Sequence, residues 1–186
     1  MKKVLVIAPY QYLPFSSGGQ KLIARFLHYL GKETELTVIS VPANDLTQIS
    51  TYKLLPILKP GFSRYLDLSL PKKITSLINK DQFDSVIWEH PYMGWIAKRV
   101  KNKTGIRTII HTHNIEYQRF RSLGKWWWPL LKMYEKRALK KADQSFYVTE
   151  DDRNFVVNNW NIEVKKTSIV PFGVDISEHP ADKSNV

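Results

Sequence analysis

Short apolar runs alternate with amphipathic stretches along the chain. The apolar runs are typical of strands buried on both faces of a parallel sheet, and they lie at residues 3–8, 36–41, 52–58, 84–88, 107–110, 144–148 and 167–170. Helical spacing of apolar side chains lies between them, at residues 20–30, 72–79, 92–103, 115–141 and 152–159. Gly31 and Gly105 are expected to end the first and third helices, and the long fourth region is expected to break around Gly124 and Pro129.

Strands that alternate with helices form βαβ units, which build parallel sheets. The predicted fold class is therefore α/β: a Rossmann-like doubly wound, mostly parallel sheet of about seven strands with helices on both faces. We expect one domain over residues 1–176 and a polar tail or linker over residues 177–186.

Polar residues collect where the predicted strands stop. In open α/β sheets the carboxyl ends of the strands meet at one edge, and ligands bind there. We therefore expect the following residues to converge on one rim as candidate substrate-binding residues: Gly18, Gly19, Glu89, His90, Asn114, Glu116, Thr149, Glu150, Gly173 and Asp175.

The best candidate for chemistry is the stretch RTIIHTHNIE at residues 107–116. His111 and His113 are two residues apart, so they point to the same side while the strand lasts. One of them could act as a general base or recognise a sugar hydroxyl. Two hydrogen-bonded or helix-capping histidines explain the stretch equally well. Glu89, His90 and the two histidines could ligate a metal, but none of the usual ligand spacings is present, so no metal site is predicted.

Glycines in the SSGG loop, which precedes the first predicted helix, could let backbone N–H groups approach an anion at the helix N-terminus. The loop matches neither the GxGxxG pattern nor a Walker lysine motif, which argues against a dinucleotide-binding or P-loop protein. A tight turn accounts for Gly18 and Gly19 equally well.

The net charge of +11 predicts an anionic partner: nucleic acid, an acidic membrane surface or a phosphorylated ligand. There is no cysteine, which suits a reducing compartment.

The first residues, MKKVLVIAPY, are similar to a signal peptide. The apolar run is short, however, and ends at Pro9 without a cleavage site, so these residues are interpreted as the first strand. No apolar stretch approaches the roughly 18 residues that span a bilayer.

Residues 119–141 carry eight basic side chains and one acidic one, Glu135, around three consecutive tryptophans. Tryptophan favours the membrane interface, and a basic amphipathic helix beside it fits docking on anionic lipid. The predicted membrane contacts are Lys125, Trp126, Trp127, Trp128 and Lys132. Alternatively, one or two tryptophans pack in the core and the lysines form a solvated face. Three adjacent tryptophans cannot all point inward, so at least one is expected to be exposed. Nucleic acid is not an expected partner, because no RNP, helix-turn-helix or KH pattern accompanies the basic residues.

The motifs together resemble the N-terminal half of family 4 retaining glycosyltransferases. They are P-x-x-x-G-G at residues 14–19, His113-Asn114-x-Glu116, E-K-x-A-L-K-K-A-D at residues 135–143, Thr149-Glu150, and P-x-G-V-D at residues 171–175. Phe172 stands where the family often has asparagine. The resemblance implies a GT-B architecture, in which two Rossmann-like domains face each other across a cleft.

The resemblance also implies roles for individual residues. Gly18 and Gly19 match the glycine loop near the donor phosphates and the acceptor. His113 matches the histidine that touches the donor sugar, with His111 as second candidate because the strand-end register is uncertain. The second domain, which carries most of the nucleotide-sugar site in the family, is not in this sequence.

The expected function is accordingly that of an acceptor-binding domain, inactive alone. The intact enzyme would transfer a sugar from a nucleotide-sugar co-substrate to a glycan or lipid-linked acceptor of the cell-envelope polysaccharide type. It would retain anomeric configuration, need no metal or other cofactor, and act in the cytoplasm at the inner membrane face. The alternative is a non-catalytic module that binds a phosphate, a sugar ligand or nucleic acid.

Overall fold

The computed structural model describes residues 1–173. Seven strands form one sheet: β1 (Lys3–Ile7), β2 (Glu35–Ile39), β3 (Lys53–Leu55), β4 (Ser85–Glu89), β5 (Arg107–Thr112), β6 (Gln144–Tyr147) and β7 (Thr167–Ile169). Six α-helices connect them: α1 (Gly18–Glu33), α2 (Leu70–Asp81), α3 (Gly94–Thr104), α4 (Glu116–Ser122), α5 (Trp128–Lys141) and α6 (Glu150–Trp160). Short 3₁₀ helices cover Leu46–Gln48, Phe62–Leu66, Pro91–Met93 and Val164–Lys166.

The strand order is β3-β2-β1-β4-β5-β6-β7, and every neighbouring pair is parallel. The chain runs outward from β1 in one direction and then returns to β4 on the other side of β1. This reversal of strand order creates the crevice at which doubly wound sheets bind ligands. The β4–β5 register places Glu89 directly beside His111, so the polar ends of these two strands lie next to each other.

Two apolar layers enclose the sheet, as the Rossmann-like prediction requires. On one face α1 packs through Leu22, Ile23 and Leu27. On the other face α2, α3, α5 and α6 pack together over the strands. Helices α3 and α5 pack closely, since a Cβ on Gly94 would lie only 2.5 Å from the Cβ of Ala138.

The helix ends confirm one predicted cap and correct another. Gly105 ends α3 with a left-handed φ of 69°, which glycine adopts without steric cost. Gly31 does not end α1; the helix continues to Glu33 and its C-cap is Thr34. The glycine at position 31 instead allows close packing, since a Cβ there would lie 2.5 Å from the carbonyl oxygen of Thr51.

The predicted helical region over 115–141 is two helices. α4 ends at Ser122, and Gly124 turns the chain with a φ of 66°. Pro129 lies in the first turn of α5, where its missing N–H is tolerated. No helix within residues 1–173 is long and apolar enough to span a bilayer. Asp175 and the predicted tail over 177–186 lie outside the described residues.

Candidate active site at the carboxyl ends of β4 and β5

A buried carboxylate links the two histidines that the sequence singled out. Glu89 ends β4 and is only 2% exposed. Its Oε1 lies 3.1 Å from Nδ1 of His111, and its Oε2 lies 2.8 Å from Nε2 of His113. Both distances fit hydrogen bonds in which the imidazole N–H donates to the carboxylate. Glu89 therefore fixes the orientation of both rings.

The surroundings lower the pKa values of both Glu89 and His113. Burial opposes the ionisation of Glu89, but the charges and hydrogen bonds of His111 and His113 outweigh it and hold the pKa of this carboxyl well below its usual range. Burial also lowers the pKa of His113 to about 4, although its hydrogen bond to Glu89 works in the opposite direction. At neutral pH the pair is thus a carboxylate and a neutral imidazole.

The neutral state of His113 determines what its other nitrogen can do. Since Nε2–H donates to Glu89, Nδ1 carries a lone pair and accepts hydrogen bonds. A Cβ on Gly19 would lie 4.0 Å from this Nδ1, so the acceptor atom faces the start of α1. Ser17 caps that helix by accepting a hydrogen bond from the backbone N–H of Gln20.

A second buried cluster adjoins the first. Oε1 of Glu116 lies 3.2 Å from Nδ1 of His90 and accepts from the side-chain amide of Asn114. Its Oε2 accepts from the hydroxyl of Tyr92 and from the guanidinium of Arg119. Burial opposes ionisation of Glu116, but His90, Tyr92 and Arg119 together hold its pKa below the ordinary value.

Backbone conformation joins the two clusters. His90 has a φ of 64°, a left-handed value that is uncommon for residues other than glycine. Its N–H donates to the carbonyl oxygen of His111, and its ring lies 4.1 Å from the ring of His113, centroid to centroid. The hydroxyl of Tyr10, from the loop after β1, hydrogen-bonds Nε2 of His90. Strained backbone of this kind persists where surrounding contacts hold it, and it clusters at functional sites.

These side chains line a cavity of about 680 Å³ at the predicted rim. It is lined by Tyr10, Ser17, Gly19, Gln20, His90, Tyr92, His113, Asn114, Glu116, Arg119 and Phe172. The cavity combines an imidazole acceptor, a carboxylate and a half-exposed guanidinium within reach of the N-terminus of α1. This arrangement can hydrogen-bond a polyhydroxylated molecule and attract a phosphate.

Glu135, on α5, holds the start of α4 in place beside this site. It is fully buried on α5, and its two oxygens accept from the backbone N–H groups of Glu116 and Tyr117, at 2.9 and 3.0 Å. These are the first two residues of α4, whose own N-cap, Ile115, has no side-chain acceptor. Glu135 therefore caps α4 from another helix and holds Glu116 at the cavity. Burial raises the pKa of Glu135 to about 7, against the effect of the two N–H donors.

We predict that Glu135→Gln becomes more stable relative to the wild type as the pH rises from about 4.5 to 7. In this window the folded wild type holds a proton that its unfolded state has released, so this group makes wild-type stability fall as pH rises. Glutamine does not titrate, and the relative gain should approach about 3 kcal/mol. Urea unfolding of both proteins at pH 5 and pH 7.5 measures it.

Glu135→Ala is the matched comparison, because it leaves the two N–H groups without an acceptor at every pH. It should be less stable than Glu135→Gln by about 1–3 kcal/mol. A difference between wild type and Glu135→Gln that stays constant with pH would contradict the assignment.

Glu89, His111 and His113 also present three potential metal ligands within 4.8 Å of one another. The sequence spacing did not predict this grouping. The hydrogen bonds from the two histidines to Glu89 explain why these three side chains lie together without an ion. A metal bound to the same two nitrogens would need both imidazoles in the opposite tautomer and would abolish those hydrogen bonds.

The other predicted site residues are placed as follows. Gly18 and Gly173 line a neighbouring cavity of about 550 Å³ beside α1, which His111 also lines. Thr149 caps α6 by accepting from the N–H of Asp152, and Glu150 is exposed in its first turn. Neither of these two lines the His113 cavity.

Sequence reasoning missed Tyr10, Tyr92, Arg119 and Glu135. Tyr92 follows the polar strand end at Glu89-His90, and Glu135 is the lone acid in a basic segment, which was an available signal for a buried role. Nothing in the local sequence marks Tyr10 or Arg119.

The fold is shared with solved glycosyltransferases. The chain aligns with the lipopolysaccharide outer core galactosyltransferase WaaB at a TM-score of 0.63 and 14% identity, covering 99% of this chain and 50% of WaaB. It aligns with sucrose-phosphate synthase from Thermosynechococcus elongatus at a TM-score of 0.69 and 12% identity, covering 94% of this chain and 49% of that one. With Arabidopsis thaliana UGT89C1, complexed with UDP-L-rhamnose, the TM-score is 0.63 at 14% identity, covering 91% and 48%. The chain thus spans about half the length of these proteins.

The parallel sheet and its helices define one Rossmann-like half of a GT-B glycosyltransferase. Residues 16–178 match Glycosyltransferase Family 4. The chain belongs to this family and corresponds to the N-terminal domain of its members, as the motifs predicted. A search of curated protein sequences gave no significant match.

Proposed function

We propose that this chain is the acceptor-binding half of a retaining glycosyltransferase that transfers a sugar from a nucleotide-sugar donor. The observation that carries the proposal is the neutral His113 imidazole, which Glu89 orients so that Nδ1 faces the N-terminus of α1. A fixed acceptor in a buried, polar cavity suits recognition of a sugar hydroxyl at the reacting centre.

The neighbouring residues take complementary roles in this proposal. The start of α1, with Gly18 and Gly19, lies where donor phosphates would gain from backbone N–H groups. Arg119, which Glu116 holds in place, offers donors to the glycan. Charge that develops on a departing diphosphate needs positioned donors, which in this family come chiefly from the second domain. We therefore expect the 186-residue chain to be inactive alone and to need no metal ion.

We further propose that the acceptor is a glycan or lipid-linked precursor of cell-envelope polysaccharide and that the enzyme works on the cytoplasmic face of the membrane. Trp126 is 83% exposed, as expected for at least one of the three tryptophans. Trp127 and Trp128 are half-buried, with Trp127 packed on Phe120 and Trp128 against Tyr117. Trp126 and the lysines at 125 and 132 are thus available for lipid contact.

We predict that Trp126→Ser lowers co-sedimentation of the chain with anionic vesicles several-fold, because the substitution removes an exposed indole that favours the membrane interface. Since Trp126 packs least of the three, its replacement should leave stability unchanged. Leu46→Ser, which replaces an exposed apolar residue in another segment, serves as control and should bind vesicles as the wild type does. Equal binding by the wild type and Trp126→Ser would remove this residue from the membrane contact.

Transfer of labelled sugar by the intact enzyme tests the proposed function. Donor breakdown without an acceptor is the control that separates transfer from hydrolysis. Binding of a nucleotide-sugar at full strength by residues 1–186, with no transfer by the intact enzyme, would favour a stand-alone binding module.

A further inference from the structure

An aromatic groove of about 410 Å³ opens beside the candidate active site. It is built by the 3₁₀ helices Phe62–Leu66 and Pro91–Met93 together with α4, α5 and the segment between them. Among the described residues that line it, none is charged; the principal ones are Phe62, Tyr65, Tyr92, Phe120, Trp127 and Leu131.

The groove is an open surface feature with apolar residues at its edges. Phe62 is 73% exposed although it lines the groove, and Leu66 and Leu130 nearby in sequence are also exposed. An exposed aromatic side chain at an apolar groove is unfavourable in water and indicates a place where another molecule binds. The walls are nevertheless fixed: the hydroxyl of Tyr134 donates to the carbonyl oxygen of Tyr92, and the indole N–H of Trp95 donates to that of Tyr65.

Tyr92 connects the groove with the His113 cavity, because it lines both. Its hydroxyl donates to Glu116 inside the cavity, while its ring meets Tyr65 edge-on in the groove, with centroids 6.0 Å apart. A molecule whose reacting end lies at His113 can therefore continue past Tyr92 into the groove.

The lining selects the chemistry of that continuation. A glycan would need hydrogen-bonding side chains along the walls. The hydroxyl of Tyr134 is engaged with Tyr92 and the N–H of Trp95, and that of Tyr92 with Glu116, which leaves Tyr65 and Trp127 as the other lining side chains with a polar atom. A hydrocarbon chain needs only apolar area. At the junction of cavity and groove, the half-exposed guanidinium of Arg119 offers charge complementary to a phosphate.

We propose that this groove holds the hydrocarbon chain of a lipid-phosphate-linked acceptor whose sugar-accepting end lies at His113. The proposal rests on the proposed function for the identity of the reacting end. The groove itself, however, predicts a binding preference that needs neither donor nor turnover.

The test is binding of alkyl phosphates to the 186-residue chain, measured by tryptophan fluorescence below the critical micelle concentration. Dodecyl phosphate should bind at least about tenfold more tightly than hexyl phosphate, since each added buried methylene contributes to affinity. Inorganic phosphate is the probe without a chain. Phe62→Ser combined with Phe120→Ser should reduce dodecyl phosphate affinity to that of hexyl phosphate, and Leu46→Ser should leave it unchanged.

Affinity independent of chain length, or equal affinity in the Phe62/Phe120 double variant, would overturn the groove proposal. So would a dimer of the chain that the double variant dissolves, because a second copy would then occupy the groove. If alkyl phosphates fail to bind while the intact enzyme transfers sugar, only the groove proposal falls. If they bind as expected but no sugar is transferred, the groove remains a lipid site and the proposed function falls.

Discussion

Replacing His113 by alanine should lower the turnover of the intact enzyme by about 10²- to 10⁴-fold, in the range seen when one positioned catalytic group is removed. The reason is the loss of the Nδ1 acceptor, which Glu89 holds in a single orientation through Nε2. His113→Asn, which can keep an amide N–H toward Glu89, should retain the fold but place its acceptor differently. Steady-state rates and urea unfolding of the same preparations separate a catalytic loss from a folding loss.

The matched control is His28, a half-buried histidine on α1 that is not among the described residues lining either cavity. His28→Ala should transfer sugar at the wild-type rate. Turnover of His113→Ala within a few-fold of wild type, in a folded protein, would remove His113 from the reacting centre.

Replacing Glu89 by alanine should destabilise the fold by about 3–5 kcal/mol, because it removes one side of a buried network and leaves two imidazole N–H groups without their acceptor. Glu89→Gln should cost less, since the amide keeps one carbonyl oxygen and the side-chain volume. Equilibrium urea unfolding at pH 7 measures both, and Glu150→Gln at an exposed position is the control.

The pH dependence of the Glu89 effect has a definite sign. The pKa of Glu89 is depressed in the folded state, so its stabilisation is present above about pH 4.5 and is lost as the pH falls toward the folded pKa. The stability difference between wild type and Glu89→Gln should therefore shrink on acidification. A Glu89→Ala variant within about 1 kcal/mol of wild type at pH 7 would show that the network is not what holds the strand ends together.

The sequence was sufficient to predict the sheet, because each strand is a continuous apolar run between polar or glycine-containing segments. It also predicted the rim: Glu89, His90, His111 and His113 lie at or just beyond the ends of two strands, and neighbouring parallel strands end at the same edge. The β4–β5 register then places Glu89 beside His111, and its carboxylate hydrogen-bonds both histidines. That register depends on tertiary structure, so the sequence named His113 first through the family resemblance but kept His111 as the second candidate. The structure buries His111 and turns Nδ1 of His113 toward α1.

Other features depend on contacts between residues distant in sequence. Glu135 caps α4 from 18 and 19 residues away, which local capping patterns do not reveal. Gly31 is interior to α1 because the carbonyl of Thr51 approaches it, and that contact overrides the usual meaning of a glycine near a helix end. Tyr10 reaches the site only because β1 and β4 are neighbours in the sheet.

In the proposed function, His113 lies at the reacting centre of a sugar transferase. The most direct measurement incubates the intact enzyme and membranes with a panel of radiolabelled nucleotide sugars and follows label in the acceptor fraction. We expect transfer from at least one donor by the wild type, loss of that transfer in His113→Ala, and its persistence in His28→Ala. Transfer at the same rate by His113→Ala, or no transfer from any donor by a folded wild-type enzyme, would contradict it.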